Sequence, residues 1–259
     1  DGDSLESIEG CLTDAQYNRD EHRKAVIDDI LDNWVSQSHN GKFHAILATS
    51  SIPEAIKYYK LFAQRDCGLK TTAVFDPSDG NNESSIEKID GIAQMLEDYN
   101  SLFGTCFNIS GYASFKRDVC ARLAHKTPYT AVENEPSKCL DILIVVDQML
   151  TGYDSKWLNT LYMDKFYKWS NIEMIIQAFS RTNRVFNDDK PHGIIRYYRR
   201  PYTMKNIIEY AFEQYSGQKP YGIFVAKLIQ NLENMNAAFS DINDIFKIAG
   251  IPDFFKTSR

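Results

Sequence analysis

The chain has 259 residues, 43% hydrophobic and 25% charged, with a formal net charge of −6. That length suits one large domain, or one domain with a helical appendage, and is ample for a packed core. The composition excludes a coiled coil, a collagen-like repeat and a mostly disordered chain, and no run of about 18 apolar residues is present to span a membrane.

No basic stretch followed by an apolar one opens the chain, so no secretory signal is read. The first residue is Asp1, not Met, which suggests a piece of something longer. Charge is unevenly spread. Residues 1–33 hold ten acidic and three basic side chains, a net of −7, so the remaining 226 carry +1. Within them, residues 181–205 hold seven basic side chains against Asp188 and Asp189, a net of +5. An acidic leader therefore precedes a nearly neutral body with one basic stretch, and the total does not argue against DNA. The five cysteines form no C-x-x-C pair and the five histidines are scattered. Neither a zinc site nor a disulfide framework fits, so reduced thiols in a cytoplasmic protein are expected and no metal site is assigned.

In chain order, the leader up to about Gln16 is polar and unpatterned. Apolar residues at helical spacing from Asp20 to Trp34 predict a helix, ended by the Ser-His-Asn-Gly turn at Ser38–Gly41. Phe43–Ala48 predicts a buried strand, running into Thr49, Ser50 and Ser51. Pro53 then sits where a helix begins. A second strand is predicted at Thr71–Phe75, followed by a surface loop over Asp76–Ser85. Two helices, Ile86–Phe103 and Tyr112–Ala124, precede an irregular region, Lys126–Lys138. Leu140–Val146 is a continuous apolar run, the mark of a parallel strand covered on both faces. Leu158–Met163 and Gly193–Tyr198 predict further strands, with a helix over Asn171–Phe179 between them. Strands alternating with helices imply a parallel α/β sheet with right-handed crossovers. After Pro201 the pattern is helical: Met204–Tyr215, Ile223–Leu232 and Ile242–Ile248. The apolar positions of these helices read most simply as core, with a docking face for a partner subunit as the alternative.

No complete catalytic set is present. There is no G-x-x-x-x-G-K-[ST], no G-x-G-x-x-G after a strand, no G-x-S-x-G and no H-E-x-x-H. Three segments at predicted strand ends stand out, because such loops bind ligands in parallel sheets. Thr49-Ser50-Ser51 brings three hydroxyls into a helix start, where they either cap the helix or hold a phosphate. Val146–Asp154 leaves a buried strand and sets Gly152 between Thr151 and Asp154, as a turn or as a close approach to a ligand. Gln177–Arg184 (QAFSRTNR), if helical, puts Gln177, Arg181 and Arg184 on one face. Two guanidinium groups on one face suit either an arriving anion or an exposed basic helix end.

Together and in this order the three segments resemble the second RecA-like lobe of a superfamily 2 helicase or translocase. QAFSRTNR resembles the Q-x-x-G-R-x-x-R motif, with Ser180 where Gly is usual. VVDQMLTGYD resembles the motif whose closing Gly-x-Asp is here Gly152 and Asp154. The strings DQMLTGYDSKWLNTLYMDK and IIQAFSRTNR are closer still to the motor (restriction) subunit of type I restriction-modification enzymes. The resemblance covers roughly residues 40–200 and is weak at Thr-Ser-Ser.

What the resemblance implies is an RecA-like, P-loop-NTPase-like lobe without its own P-loop, spanning residues 39–200. An acidic leader and connecting helix (1–38) precede it, and the start of a helical domain (201–259) follows. Arg184 would be the arginine finger at the ATP γ-phosphate, with Arg181 contacting phosphates or orienting neighbours. Gln177 would couple nucleotide state to lobe closure, and Gly152 and Asp154 would sit in the nucleotide cleft. Thr49, Ser50 and Thr151 would lie toward double-stranded DNA and bind its backbone. The resemblance puts ATP and Mg²⁺ mainly on a first RecA-like lobe upstream, and implies modification and specificity subunits as partners. The full-length subunit would be an ATP-dependent translocase and site-specific deoxyribonuclease, and this chain alone would be inactive. Two rivals stand beside this reading: a lobe of another superfamily 2 helicase or remodeller, and a non-catalytic α/β binding domain. In the favoured reading Arg181 and Arg184 share one open sheet edge with Gly152 and Asp154.

Overall fold

The computed structural model describes residues 8–65, 67–76, 85–146, 153–186, 188–215 and 228–248. The chain forms two compact units, one up to Tyr215 and one from Ser216 onward. In the first, α1 (Asp14–Tyr17) and α2 (Asp20–Gln37) precede β1 (His44–Thr49). Then come α3 (Ile52–Gln64), β2 (Thr71–Val74), α4 (Ser85–Phe103), α5 (Tyr112–Leu123) and β3 (Ile142–Val145). Next are β4 (Leu158–Asp164), α6 (Ile172–Phe179), β5 (Ile194–Tyr197) and α7 (Pro201–Tyr215). The second unit holds α8 (Leu228–Ile248).

The strands form one sheet in the order β2-β3-β1-β4-β5, with every neighbouring pair parallel. Every residue of β1, β3 and β4 is buried. This is the physical origin of the continuous apolar runs: a strand covered on both faces has no water side to alternate toward. The α/β class and parallel sheet agree with the sequence reading. The sheet gives the molecule two opposite edges. Thr49, Val145 and Asp164 end strands at the carboxyl edge, whereas His44, Leu158 and Ile194 begin strands at the amino edge.

Three expectations need correction. The leader is not unpatterned: residues 8–11 and α1 are helical. Glu9 is buried and accepts the backbone N–H groups of Tyr202 (2.6 Å) and Thr203 (2.9 Å) and the Thr203 hydroxyl (2.8 Å). It thus satisfies orphan donors in the first turn of α7, where a carboxylate also suits the helix dipole. The second correction concerns the last helices. Leu228–Ile248 is one helix, not two, because no Gly or Pro interrupts Glu233–Asp241; residues 223–227 lie outside the described residues. Third, the helix over Gln177–Arg184 stops at Phe179. Arg181 N, Thr182 N and Asn183 N each bond three residues back, and the Thr182 hydroxyl donates to Phe179 O at 3.0 Å. Arg181 and Arg184 are therefore carried by a turn and the irregular segment after it, and no longer share a helix face with Gln177.

The acidic leader also folds back onto the basic stretch. Arg196 Nη2 meets Asp29 at 2.7 Å, and Arg200 Nη2 lies 3.6 Å from Asp14. Charges that looked segregated along the chain partly neutralise one another in space. Of the basic stretch, Arg181, Arg184 and Lys190 remain with the amino edge.

Candidate functional site

The segment 153–157 comes just before β4 and so sits at the amino edge, not at a carboxyl end as the strand order in sequence suggested. Its backbone is tied to the sheet by His44 N donating to Trp157 O at 3.1 Å. Ser155 Oγ donates to Leu123 O at 3.2 Å. The buried Tyr153 hydroxyl meets His44 Nε2 at 3.0 Å. Burial, with the charges of His125 and Lys190 nearby, holds His44 well below its ordinary pKa, so the imidazole is neutral.

The loop after α6 reaches the same place. Arg184 Nε donates to Asp154 Oδ1 at 2.8 Å, closing a gap of 30 residues in sequence. Arg181 Nη1 donates to Tyr153 O at 3.2 Å. The Arg184 and Asp154 side chains are 56% and 61% exposed. Such a pair contributes only about 0–1 kcal/mol, so an incoming anion can take Arg184 from Asp154 at small cost. Phe186 packs on Trp157 and Phe43, and Lys156 and Lys42 lie over the Phe186 ring. Gly193 completes the arrangement. A Cβ there would lie 2.3 Å from the Thr182 Cβ, so only glycine allows the start of β5 to press against the turn.

Gln177 is exposed on α6. Gly152 and Thr151 lie outside the described residues. At the opposite, carboxyl edge, Ser50 is exposed, and Ser51 Oγ caps α3 by accepting from Glu54 N at 3.4 Å. Thr49 corrects its assignment to the DNA face: its side chain is fully buried and its hydroxyl donates to Val145 O at 3.0 Å. It stitches β1 to β3 instead of meeting a phosphate.

Two groups escaped the sequence reading. Asp164 ends β4 fully buried and accepts from Arg199 Nε and Nη2 (2.9 Å each), Tyr58 (2.9 Å) and His22 (2.7 Å). Burial alone raises a carboxyl pKa, but hydrogen bonds from His22 and Arg199 outweigh it and hold this one below the usual range. Lys190, counted above only as one charge of the basic stretch, is 1% exposed. Among the described residues, no cluster of His, Cys, Asp and Glu is placed to hold a metal ion, and no helix is long and apolar enough to cross a membrane.

The family model for type I restriction enzyme subunit R domain 3 matches residues 41–200. The type I restriction enzyme SsaAORF53P endonuclease subunit of Staphylococcus saprophyticus is 33% identical over 208 residues, covering 77% of this chain and 21% of that protein. The SauMRSORF196P endonuclease subunit of Staphylococcus aureus is 31% identical over 200 residues, covering 74% of this chain and 20% of that protein. The HindI endonuclease subunit of Haemophilus influenzae is 42% identical over 60 residues, 23% of this chain and 5% of its own length. The chain thus spans about a fifth of the length of the first two relatives.

Proposed function

Because the chain belongs to the type I restriction enzyme subunit R family, through its domain 3, we propose that it is the second RecA-like lobe of an ATP-driven translocase within an endonuclease subunit. The observation that carries the reading is the meeting of Asp154 and Arg184 at an exposed sheet edge, in a pair weak enough to exchange for phosphate.

In this reading Arg184 turns from Asp154 to the γ-phosphate oxygens, and Arg181 supports it. Planar guanidinium donors aimed at phosphate oxygens stabilise the charge that develops in phosphoryl transfer. The nucleotide, when bound, supplies the hydrolysable phosphoanhydride, and the first lobe supplies the phosphate cradle and Mg²⁺ ligands. Asp154 keeps Arg184 extended toward the cleft until an anion arrives. Gln177 and Gly152 belong to the same nucleotide-facing assignment, and the exposed Ser50 at the opposite edge to the DNA-facing one. Contacts to backbone phosphate carry no sequence information, which suits movement along any duplex. Strands β1 and β4 run between the two edges, about 20 Å at 3.3 Å per residue, and offer a rigid link from nucleotide to DNA. The modification and specificity subunits of the restriction complex, and the cytoplasm as its site of action, complete the proposal.

The test uses the full-length protein assembled with those subunits. Arg184→Ala is expected to lower DNA-stimulated ATP turnover by about 10³-fold, the scale of an arginine finger, with ATP affinity changed only a few-fold. Turnover equal to that of the unaltered protein rejects the role given to Arg184.

A further inference from the structure

Lys190 is a buried ammonium that the nucleotide-facing assignment leaves unused. It is 1% exposed, and its Nζ donates to Arg184 O at 2.6 Å and to Lys156 O at 3.3 Å. Those carbonyls belong to the two segments that build the site. One follows α6 and carries Arg184; the other precedes β4 and carries Asp154 two residues before Lys156. The Lys190 backbone is fixed in turn by paired bonds with Phe186, at 3.0 and 3.1 Å.

We propose that Lys190 is a positioning residue, a charged clasp that holds the Arg184 segment against the Asp154 segment so that Arg184 points into the nucleotide cleft. The inference rests on the reading of Arg184 as the nucleotide-facing arginine and adds what sets its geometry. A buried charge is costly unless its hydrogen bonds compensate, and both bonds named here end on backbone carbonyls. Charge-assisted bonds are roughly twice as strong as neutral ones, so the ammonium grips where a neutral amine would hold weakly. A displacement of about 1 Å at a reacting centre costs about 10²-fold in rate.

The clasp is also titratable, because burial lowers the Lys190 pKa to about 8. Around it lie His44 on β1, held neutral, and Tyr153, whose hydroxyl burial pushes up beyond its ordinary value. The charged or titratable groups around them are Lys156, the Arg184–Asp154 pair, the Lys42–Asp189 pair, His125 stacked on Trp157, and Cys120 near Tyr153; Asp188 and His192 are exposed neighbours of Lys190 in sequence. Loss of the Lys190 proton favours the fold, since a buried charge is removed, yet it loosens the grip on Arg184. Turnover and stability therefore move in opposite directions as pH rises through about 8, which a purely structural lysine does not produce.

The test measures DNA-stimulated ATP turnover of the full-length protein, assembled with its partner subunits, from about pH 7 to 9.5. The unaltered protein is expected to lose kcat through a limb centred near pH 8. Lys190→Met is expected to lower kcat by about tenfold or more, with KM for ATP little changed, and to abolish the limb. Lys190→Arg, permanently charged, is expected to keep turnover and shift the limb out of range. An unaltered protein with flat kcat from pH 7 to 9.5 overturns the proposal, as does Lys190→Met with normal kcat and a normal limb. If Lys190→Met does not fold, the profile of the unaltered protein and that of Lys190→Arg decide. Loss of turnover in Arg184→Ala together with full turnover in Lys190→Met rejects the clasp alone; normal turnover in Arg184→Ala removes its premise.

Discussion

Asp164→Asn probes the carboxyl-edge network that locks the leader to the lobe. The wild-type carboxylate is fully buried and receives Arg199 through two bonds of 2.9 Å, with Tyr58 and His22 completing its shell. Asparagine fits the space but removes the charge, and its amide N–H₂ faces donors. The Arg199 side chain, only 5% exposed, is left as a buried cation without its counter-charge. Breaking one side of a buried pair costs about 3–5 kcal/mol. With a urea slope of about 2 kcal/mol/M, the midpoint falls by about 1.5–2.5 M, read by far-ultraviolet circular dichroism. The pH dependence has a defined sign. The folded-state pKa of Asp164 lies below its unfolded value, near 3.9. Its contribution is complete above that value and is lost as pH falls through the lower folded-state value. Asp164→Asn removes this part of the acid sensitivity. A loss of stability below about 1 kcal/mol would refute the reasoning, since it would mean that Arg199 finds water or another acceptor at little cost.

Gly193→Ala forces a Cβ into the Thr182 side chain; thermal unfolding should show a loss of about 1–3 kcal/mol, together with lower turnover because the displaced turn carries Arg184. Thr49→Val removes the bond to Val145 O and should cost about 1–2 kcal/mol in urea unfolding while leaving DNA affinity unchanged, whereas Ser50→Glu at the exposed position should weaken DNA binding, most at low salt. Stability should rise between about pH 8 and 10, because the unfolded chain still binds the Lys190 proton that the folded one has released. The full effect is as much as about 3 kcal/mol, and a stability curve unaltered by Lys190→Met would contradict it.

The parallel sheet was legible because strands buried on both faces spell themselves as apolar runs: LDILIVV announces β3 without help from context. The edges were not legible. Asp154 looked like a carboxyl-end loop because it follows β3 in sequence, yet a parallel connection must cross the sheet before β4 can start. The end of α6 was hidden because Arg181 and Arg184 carry good helix propensity, while the Thr182 hydroxyl and the close approach of Gly193 favour a turn. Thr49 was read for its hydroxyl, which burial turned to a structural bond. Lys190 left no local signal, since its partners are carbonyls 6 and 34 residues away. Glu9 capping a helix more than 190 residues later is equally invisible to any local pattern.

The amino edge bearing Asp154 and Arg184 is proposed as half of a nucleotide site. Its most direct test is a structure of the full-length protein with DNA and a non-hydrolysable ATP analogue. The Arg184 guanidinium is expected about 3 Å from a γ-phosphate oxygen, drawn away from its present 2.8 Å contact with Asp154. An Arg184 that stays on Asp154, with the phosphates bound beyond its reach, would contradict it.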